Sequence, residues 1–501
     1  MRRGDAFVGA SSLLLVALAS LVGGLLYLAG KPVHASAAPF FAQWLPHVGP
    51  GTPLAITVAV LVIWKGPVLA ARLAWRPLVL SGYAVAVVWT LALALVDGWQ
   101  RGLTGRLTTK PEYLHEVPGV TDVTAMIRGF AGRILDAQPD SWTTHVAGHP
   151  PGALLTFVWL DRIGLGGGAW AAVLCVMVGA LAAVAVPETV RLLGDPDAAR
   201  VAVPFAVLLP GAVWIGASAD GLFAGVAAVG TMLLARQRPH WDAVGGALLG
   251  FGLYLSYGLV LLAPIVLVVL VRRRAWRSLG IASFSAAVVV GVFTAYGFWW
   301  FDGYHLVVER YYQGLASVRP YWYWVWANLA ALVASGGPAM AVILRRAMSL
   351  QGVLKPRRHR PSGERNLPRA VMQVAHSLRE SWHRGVEWPI KKREPAWRRA
   401  MPRQPETKRR GQSAPAGDHA PSVRERRFVL AASLLPVAAA TAVLLADISG
   451  LSKAETERIW LPFAVWFAAG AVLLPADSRR FWLAVQATTA LLVNHLLLTS
   501  W

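Results

Sequence analysis

The sequence predicts an all-α, polytopic membrane protein of roughly thirteen transmembrane helices, and three observations carry that reading. Of 501 residues, 56% are hydrophobic, and apolar runs approaching the ~20 residues needed to cross a ~30 Å hydrocarbon core recur along the chain. Arg clusters separate those runs at intervals that place them all on one side, as cytoplasmic loops require. One polar stretch, 97–168, interrupts the apolar pattern for longer than any other in the first three hundred residues.

Residues 1–96 read as three spans, at about 11–30, 53–72 and 78–96. The first, which could mimic a signal peptide, reads as a span: its apolar run exceeds the roughly 7–15 residues of an h-region, and no clear small-residue cleavage site ends it. With a cytoplasmic N-terminus, Arg2, Arg3, Arg72 and Arg76 share the inner side and 97–168 lies outside. Within that loop, the apolar stretch from Gly152 to Leu165 is too short to cross and reads as an interfacial helix.

The core, 169–344, begins with a span from Ala169 to Val186 and a polar inner turn from Pro187 to Arg200. Spans at about 201–217 and 221–235 follow, joined at Ser218-Ala219-Asp220. The run Gly245 to Val271 reads as two short spans folded at Leu255-Ser256-Tyr257-Gly258, because one long helix would carry Arg272-Arg273-Arg274 outside. Spans at about 279–299 and 323–344 flank a loop, 301–321, rich in Tyr and Trp, as interfacial belts are. The last part, 428–501, supplies spans at about 428–446, 459–475 and 481–499.

The net charge of +22 is concentrated between 345 and 427, where 22 Lys and Arg face 7 Asp and Glu, a net of +15. That leaves +7 elsewhere and excludes a nucleic-acid-binding protein as the explanation of the charge. The segment is a basic cytoplasmic insertion, largely disordered by composition. Its middle is an amphipathic helix with Leu367, Val371, Val374, Leu378 and Trp382 on one face, suited to the anionic inner leaflet. Cys175 is the only cysteine, so no intrachain disulfide forms.

Candidate chemistry concentrates at span ends. Asp97 closes an apolar span and so sits at the membrane boundary; Glu112, beside Tyr113, is the second carboxylate that could serve as a general base on an acceptor hydroxyl. Asp122 lies further along, in a stretch of helical character. His145 and His149 are four apart, a spacing that can hold a metal on a helix face but lacks a third ligand here. Pro150-Pro151 fixes a turn that delivers His149 to a set place. Asp220 sits at the turn between two spans, and Arg458, after Glu455 and Glu457, offers a fork shaped for a lipid phosphate.

In order, these pieces resemble the GT-C membrane glycosyltransferases, in the branch of the protein mannosyltransferases and aminoarabinose transferases. The likeness rests on Asp97 opening the acidic loop, then His149-Pro150-Pro151-Gly152-Ala153-Leu154-Leu155, then Arg191-Leu192-Leu193-Gly194 with Asp197-Ala198-Ala199-Arg200. Ser218-Ala219-Asp220-Gly221-Leu222-Phe223, Gly246 through Tyr257, and Glu457-Arg458-Ile459-Trp460-Leu461-Pro462 complete it. It covers about 97–275 and 445–475. The chain departs from the branch in three spans before the loop, Ser256 where Lys is common, and no adjacent acidic pair.

The resemblance implies transfer of a sugar from a polyprenyl-phosphate donor to an extracytoplasmic acceptor by inverting displacement, in many members with a divalent metal ion. It implies catalytic Asp97 or Glu112 and substrate contacts from Tyr113, His145, His149, Asp220, Tyr257 and Arg458. The alternatives are a transporter or flippase of a lipid-linked envelope intermediate, and a non-catalytic membrane scaffold. A transporter should place paired charges mid-span near broken helices, whereas here the ionisable residues gather at span ends and loops.

Overall fold

An apolar chain in lipid must satisfy its backbone hydrogen bonds within itself, which leaves helices as the economical solution. The computed structural model describes residues 2–216, 218–354 and 423–499, and these are mostly helical. The predicted amphipathic helix at 367–382 lies outside them. Among the described residues, five helices are long and apolar enough to cross a membrane: Arg3–Leu28, Thr52–Arg72, Trp75–Asp97, Gly168–Leu192 and Trp276–Ala295. Their 20 to 26 residues span roughly 30–39 Å at the α-helical rise. Exposed Leu14 and Leu21 on the first, and Phe284 and Val288 on the last, give these helices apolar outer faces that lipid solvates and water does not. The protein is therefore membrane-embedded. The other expected crossings are shorter helices, among them Ala219–Ala235, Ala432–Ile448 and Leu461–Leu473, so among the described residues length and composition alone carry five or six spans.

Three local expectations meet the structure differently. The run 245–271 is broken as the sequence predicts: Pro239–Leu255 ends at extended Ser256, and Ala263–Arg273 follows a 3-10 turn. Gln237 Nε2 donates to the Arg273 carbonyl at 2.9 Å, so both ends of this hairpin meet. The single span expected at 323–344 is instead two helices, Tyr321–Gly336 and Pro338–Ser349, bent by 104°. Gly337 adopts φ +83°, open to glycine, and Pro338 offers no N–H to continue the helix. The polar turn expected from Pro187 is helical to Leu192. Glu188 ends nothing there because Trp75 Nε1 (2.7 Å) and Arg191 Nη2 (2.7 Å) neutralise and bond it; the turn comes at Asp195, whose carboxylate accepts from Ala198 N at 2.9 Å and caps Pro196–Val207.

One small sheet departs from the all-α expectation. Strand β1 (Ala42–Trp44) pairs antiparallel with strand β2 (Leu497–Thr499), Ala42 opposite Thr499. The predicted last span thus stops at Leu496 and its final residues bond to the loop after the first helix.

Polar bonds gather the connecting segments into two sets. One joins Asp5 to Arg345 and Arg346, Trp75 to Glu188, and Arg200 to the Ala70 and Leu73 carbonyls. The other joins 34–51, 97–168, 310–319, 453–458 and β2. The loop 97–168 packs as short helices around Phe130, Trp142 and Phe157, all buried. Its Pro151–Arg162 helix, expected at an interface, buries Gly152 against Tyr254 while Trp159 stays exposed. Asp122 serves as an N-cap, accepting from Thr124 N and Ala125 N at 2.7 and 3.2 Å.

Candidate functional site

Arg106, Glu112, Tyr113, His145, Ser218, Asp220 and Arg458 line one buried cavity. The local sequence explains how each arrives. Glu112 precedes a 3-10 turn, Tyr113–His115, and the Pro111 carbonyl takes His145 N at 2.9 Å, which fixes the short helix Thr144–Ala147 beside it. Glu112 Oε1 lies 3.6 Å from His145 Nε2. Burial pushes the Glu112 carboxyl up to about 7, with Asp220 adding to the rise and Arg458 opposing it. Burial, with Arg458 nearby, holds His145 well below its usual range, and burial also lowers His149. Both imidazoles are therefore neutral near pH 7.

The Tyr113 hydroxyl meets His149 Nδ1 at 2.9 Å, and the same nitrogen faces the His145 carbonyl at 2.8 Å. Burial raises the Tyr113 phenol well above its usual value, so it remains a hydroxyl. The His145 and His149 rings both lie beside the Tyr113 ring, with centroids 6.3 and 5.9 Å away. Among the described residues no group of three or more His, Cys, Asp or Glu is placed to hold a metal ion.

On the opposite wall, Ser218 caps the helix Ala219–Ala235 and its hydroxyl donates to Asp220 Oδ2 at 3.2 Å. Arg458 Nη1 donates to the same oxygen at 2.6 Å, and its Nη2 to Glu455 Oε2 at 2.6 Å. The turn that delivers Arg458 is strained: Ala454 and Glu455 have φ of +71° and +62°. Each such non-glycine residue costs about 1–2 kcal/mol, a cost that surrounding contacts must offset.

Asp97, the preferred base in the sequence reading, lies behind this cavity and does not line it. Its Oδ1 is 2.6 Å from His47 Nε2 and its Oδ2 accepts from Arg106 Nη2 at 2.6 Å, with 4% of the side chain exposed. Arg106 also donates through Nη1 to the Thr499 carbonyl at 2.5 Å. Tyr257 is elsewhere too, packed on Trp300 and Tyr304 with centroids 5.3 and 6.0 Å away. The site thus joins Glu112, Tyr113, His145, Asp220 and Arg458, keeps His149 as a partner of Tyr113, and leaves Asp97 and Tyr257 outside. Sequence reading missed Arg106, His47 and the Glu455 contact; an Arg amid the acids of 97–116 was the available signal for the first.

The cavity holds about 10 Å³, room for roughly one water, so a larger ligand enters only when the loop or its side chains move. A second cavity, about 360 Å³, is lined by apolar groups including Gly23, Gly24, Tyr27, Phe40, Trp44 and Leu497. It lies between the end of the first helix and β2, two residues along the chain from the Thr499 that holds Arg106. No protein-family model matches this chain, and no curated protein matches it.

Proposed function

We propose that this protein is a membrane glycosyltransferase of the GT-C type, moving a sugar from a polyprenyl-phosphate donor to an acceptor on the extracytoplasmic side. The observation that carries the reading is Glu112: a buried carboxyl poised near 7, facing a cavity with two guanidiniums, Arg106 and Arg458. A general base works best when its pKa lies near the operating pH, and a leaving phosphate needs fixed positive charge. In this reading the ionised Glu112 takes the proton of the acceptor hydroxyl. The acceptor oxygen forms the new bond to the sugar's anomeric carbon as the bond from that carbon to the phosphate oxygen breaks. The electron pair leaves on the phosphate, beside Arg106 and Arg458. Attack opposite the leaving group inverts the anomeric centre.

We assign the base to Glu112 and not Asp97 because both oxygens of Asp97 are engaged by His47 and Arg106; Asp97 then holds Arg106 in place. The apolar cavity beside β2 supports the same reading, since an isoprenoid chain needs such a berth near the phosphate. With the loop 97–168 outside, the N-terminus and the basic segment 345–427 are cytoplasmic, the latter against the anionic inner leaflet.

The transporter or flippase alternative draws on the 104° break at Gly337, since broken helices mark transport sites. Here two carbonyls beside the break are bonded within the protein, Gly336 O by Gln486 Nε2 (3.3 Å) and Ser335 O by Gly211 N (2.6 Å). The test is incubation of the purified protein with polyprenyl-phosphate-linked labelled sugars and analysis of the product's anomeric configuration. Inverted product supports the reading; retained configuration rules out single displacement.

A further inference from the structure

Arg458 is held by a chain of alternating buried charges that continues well beyond the cavity. Asp220 takes its Nη1 and Glu455 its Nη2, each at 2.6 Å. The other oxygen of Glu455 faces Arg319 Nη1 at 3.5 Å. Arg319 in turn donates to the Lys453 carbonyl at 2.7 Å and, through Nη2, to the His34 carbonyl at 3.1 Å. A second clasp runs the other way, from Lys453 Nζ to the Ala316 carbonyl at 2.9 Å. Asp220, Arg458 and Arg319 are buried and Glu455 is mostly so. The two left-handed residues, Ala454 and Glu455, lie at the centre of this chain. Without that backbone Glu455 would not be turned between two guanidiniums.

We propose that Glu455 is a positioning residue: the strained 453–458 turn, clasped by Arg319, exists to hold the Arg458 guanidinium against the cavity wall. Strain at a buried turn persists only where its surroundings over-determine it, and it collects at functional sites. The pairing also sets the charge that a ligand meets. Asp220 and Glu455 each take one end of the guanidinium, so Arg458 presents one orientation. Arg319 balances the second acid and keeps the turn from carrying an unpaired carboxylate. The segment 316–319 thereby becomes part of the site without lining it. As far as catalysis is concerned, this inference rests on the glycosyltransferase reading; the placement of Arg458 does not.

Two measurements separate those claims. Phenylglyoxal, which modifies guanidiniums, is reacted with the full-length protein in detergent and the adducts are mapped by mass spectrometry. Glu455→Gln should raise adduct formation at Arg458 by about tenfold through local opening, while Arg200, bonded to the Ala70 and Leu73 carbonyls in the other set of loops, keeps its parent rate. Ala454→Gly, which preserves the positive φ, should leave Arg458 protected. An unchanged Arg458 rate in Glu455→Gln, or a rise at Arg200 as large as at Arg458, overturns the proposal. In sugar transfer, Arg458→Gln and the double variant Glu455→Gln/Arg458→Gln should be equally impaired, because Glu455 acts only through Arg458; additive losses overturn it as well. If the unmutated protein transfers no sugar, the glycosyltransferase reading falls and adduct mapping still decides the role of Glu455.

Discussion

Replacing Glu112 by Gln should stabilise the protein in alkaline solution while slowing the proposed sugar transfer roughly 10²–10⁴-fold. In the folded chain burial raises this carboxyl from 4.5 to about 7. A raised carboxyl pKa means that the folded state holds its proton where the unfolded state has lost it. Stability is therefore fully present below pH 4.5 and declines as pH rises towards 7. The shift of about 2.5 pH units corresponds to about 3 kcal/mol, at 1.36 kcal/mol per unit. Glu112→Gln mimics the protonated form at every pH and removes this decline. The assay is denaturant unfolding in detergent from pH 4.5 to 8.5, parent against variant. The two should coincide at the acid end and separate by about 3 kcal/mol at pH 8. Glu457, also raised to about 7 by burial, titrates in both proteins and cancels in the difference. Parallel curves across the range would refute the claim that Glu112 is a buried acid poised near neutrality.

Other expectations follow from the same geometry. Arg458→Gln leaves Asp220 and Glu455 buried without their shared cation and should cost about 3–5 kcal/mol, read as a lowered unfolding midpoint. Gly337→Ala forces a left-handed backbone on a residue with a side chain and sets its Cβ 2.8 Å from Gln486 Cγ; it should destabilise by about 1–2 kcal/mol or more, whereas Gly24→Ala, with open space at that point, should not. A reporter fused within 345–427 should read as cytoplasmic and one near Gly119 as outside; the same side for both would remove the extracytoplasmic site.

What the sequence revealed depended on distance along the chain. Glu112, Tyr113, His145 and His149 come from one polar loop, so composition alone brought them into view together. Asp220 and Arg458 were each visible as a charge at a span end, but their pairing joins residues 238 apart. Nothing local announces such a contact. Asp97 stands at the end of its span as expected, but its partners His47 and Arg106 were out of view for the same reason: they occupy both its oxygens, and Arg106 is itself fixed by Thr499, 393 residues away. The fold class followed from the length of the apolar runs, which fixes helices well and their ends poorly. The Ser256 break could be read because Arg272 and Arg273 had to return to the inner side. The Gly337 break lay inside a continuous apolar run, where only Gly336-Gly337-Pro338 signals a bend. Strand β1 is three residues long and pairs with chain nearly at the far end, too short and too remote for alternation to show it.

Sugar transfer by the purified protein, compared across the parent, Asp97→Asn and Glu112→Gln at matched protein levels, bears most directly on the function. The prediction is transfer that requires a polyprenyl-phosphate donor and falls roughly 10²–10⁴-fold in Glu112→Gln, the usual loss for a missing general base, with a smaller loss in Asp97→Asn. Transfer undiminished in Glu112→Gln, or absent from the parent with every polyprenyl-phosphate sugar supplied, would contradict it.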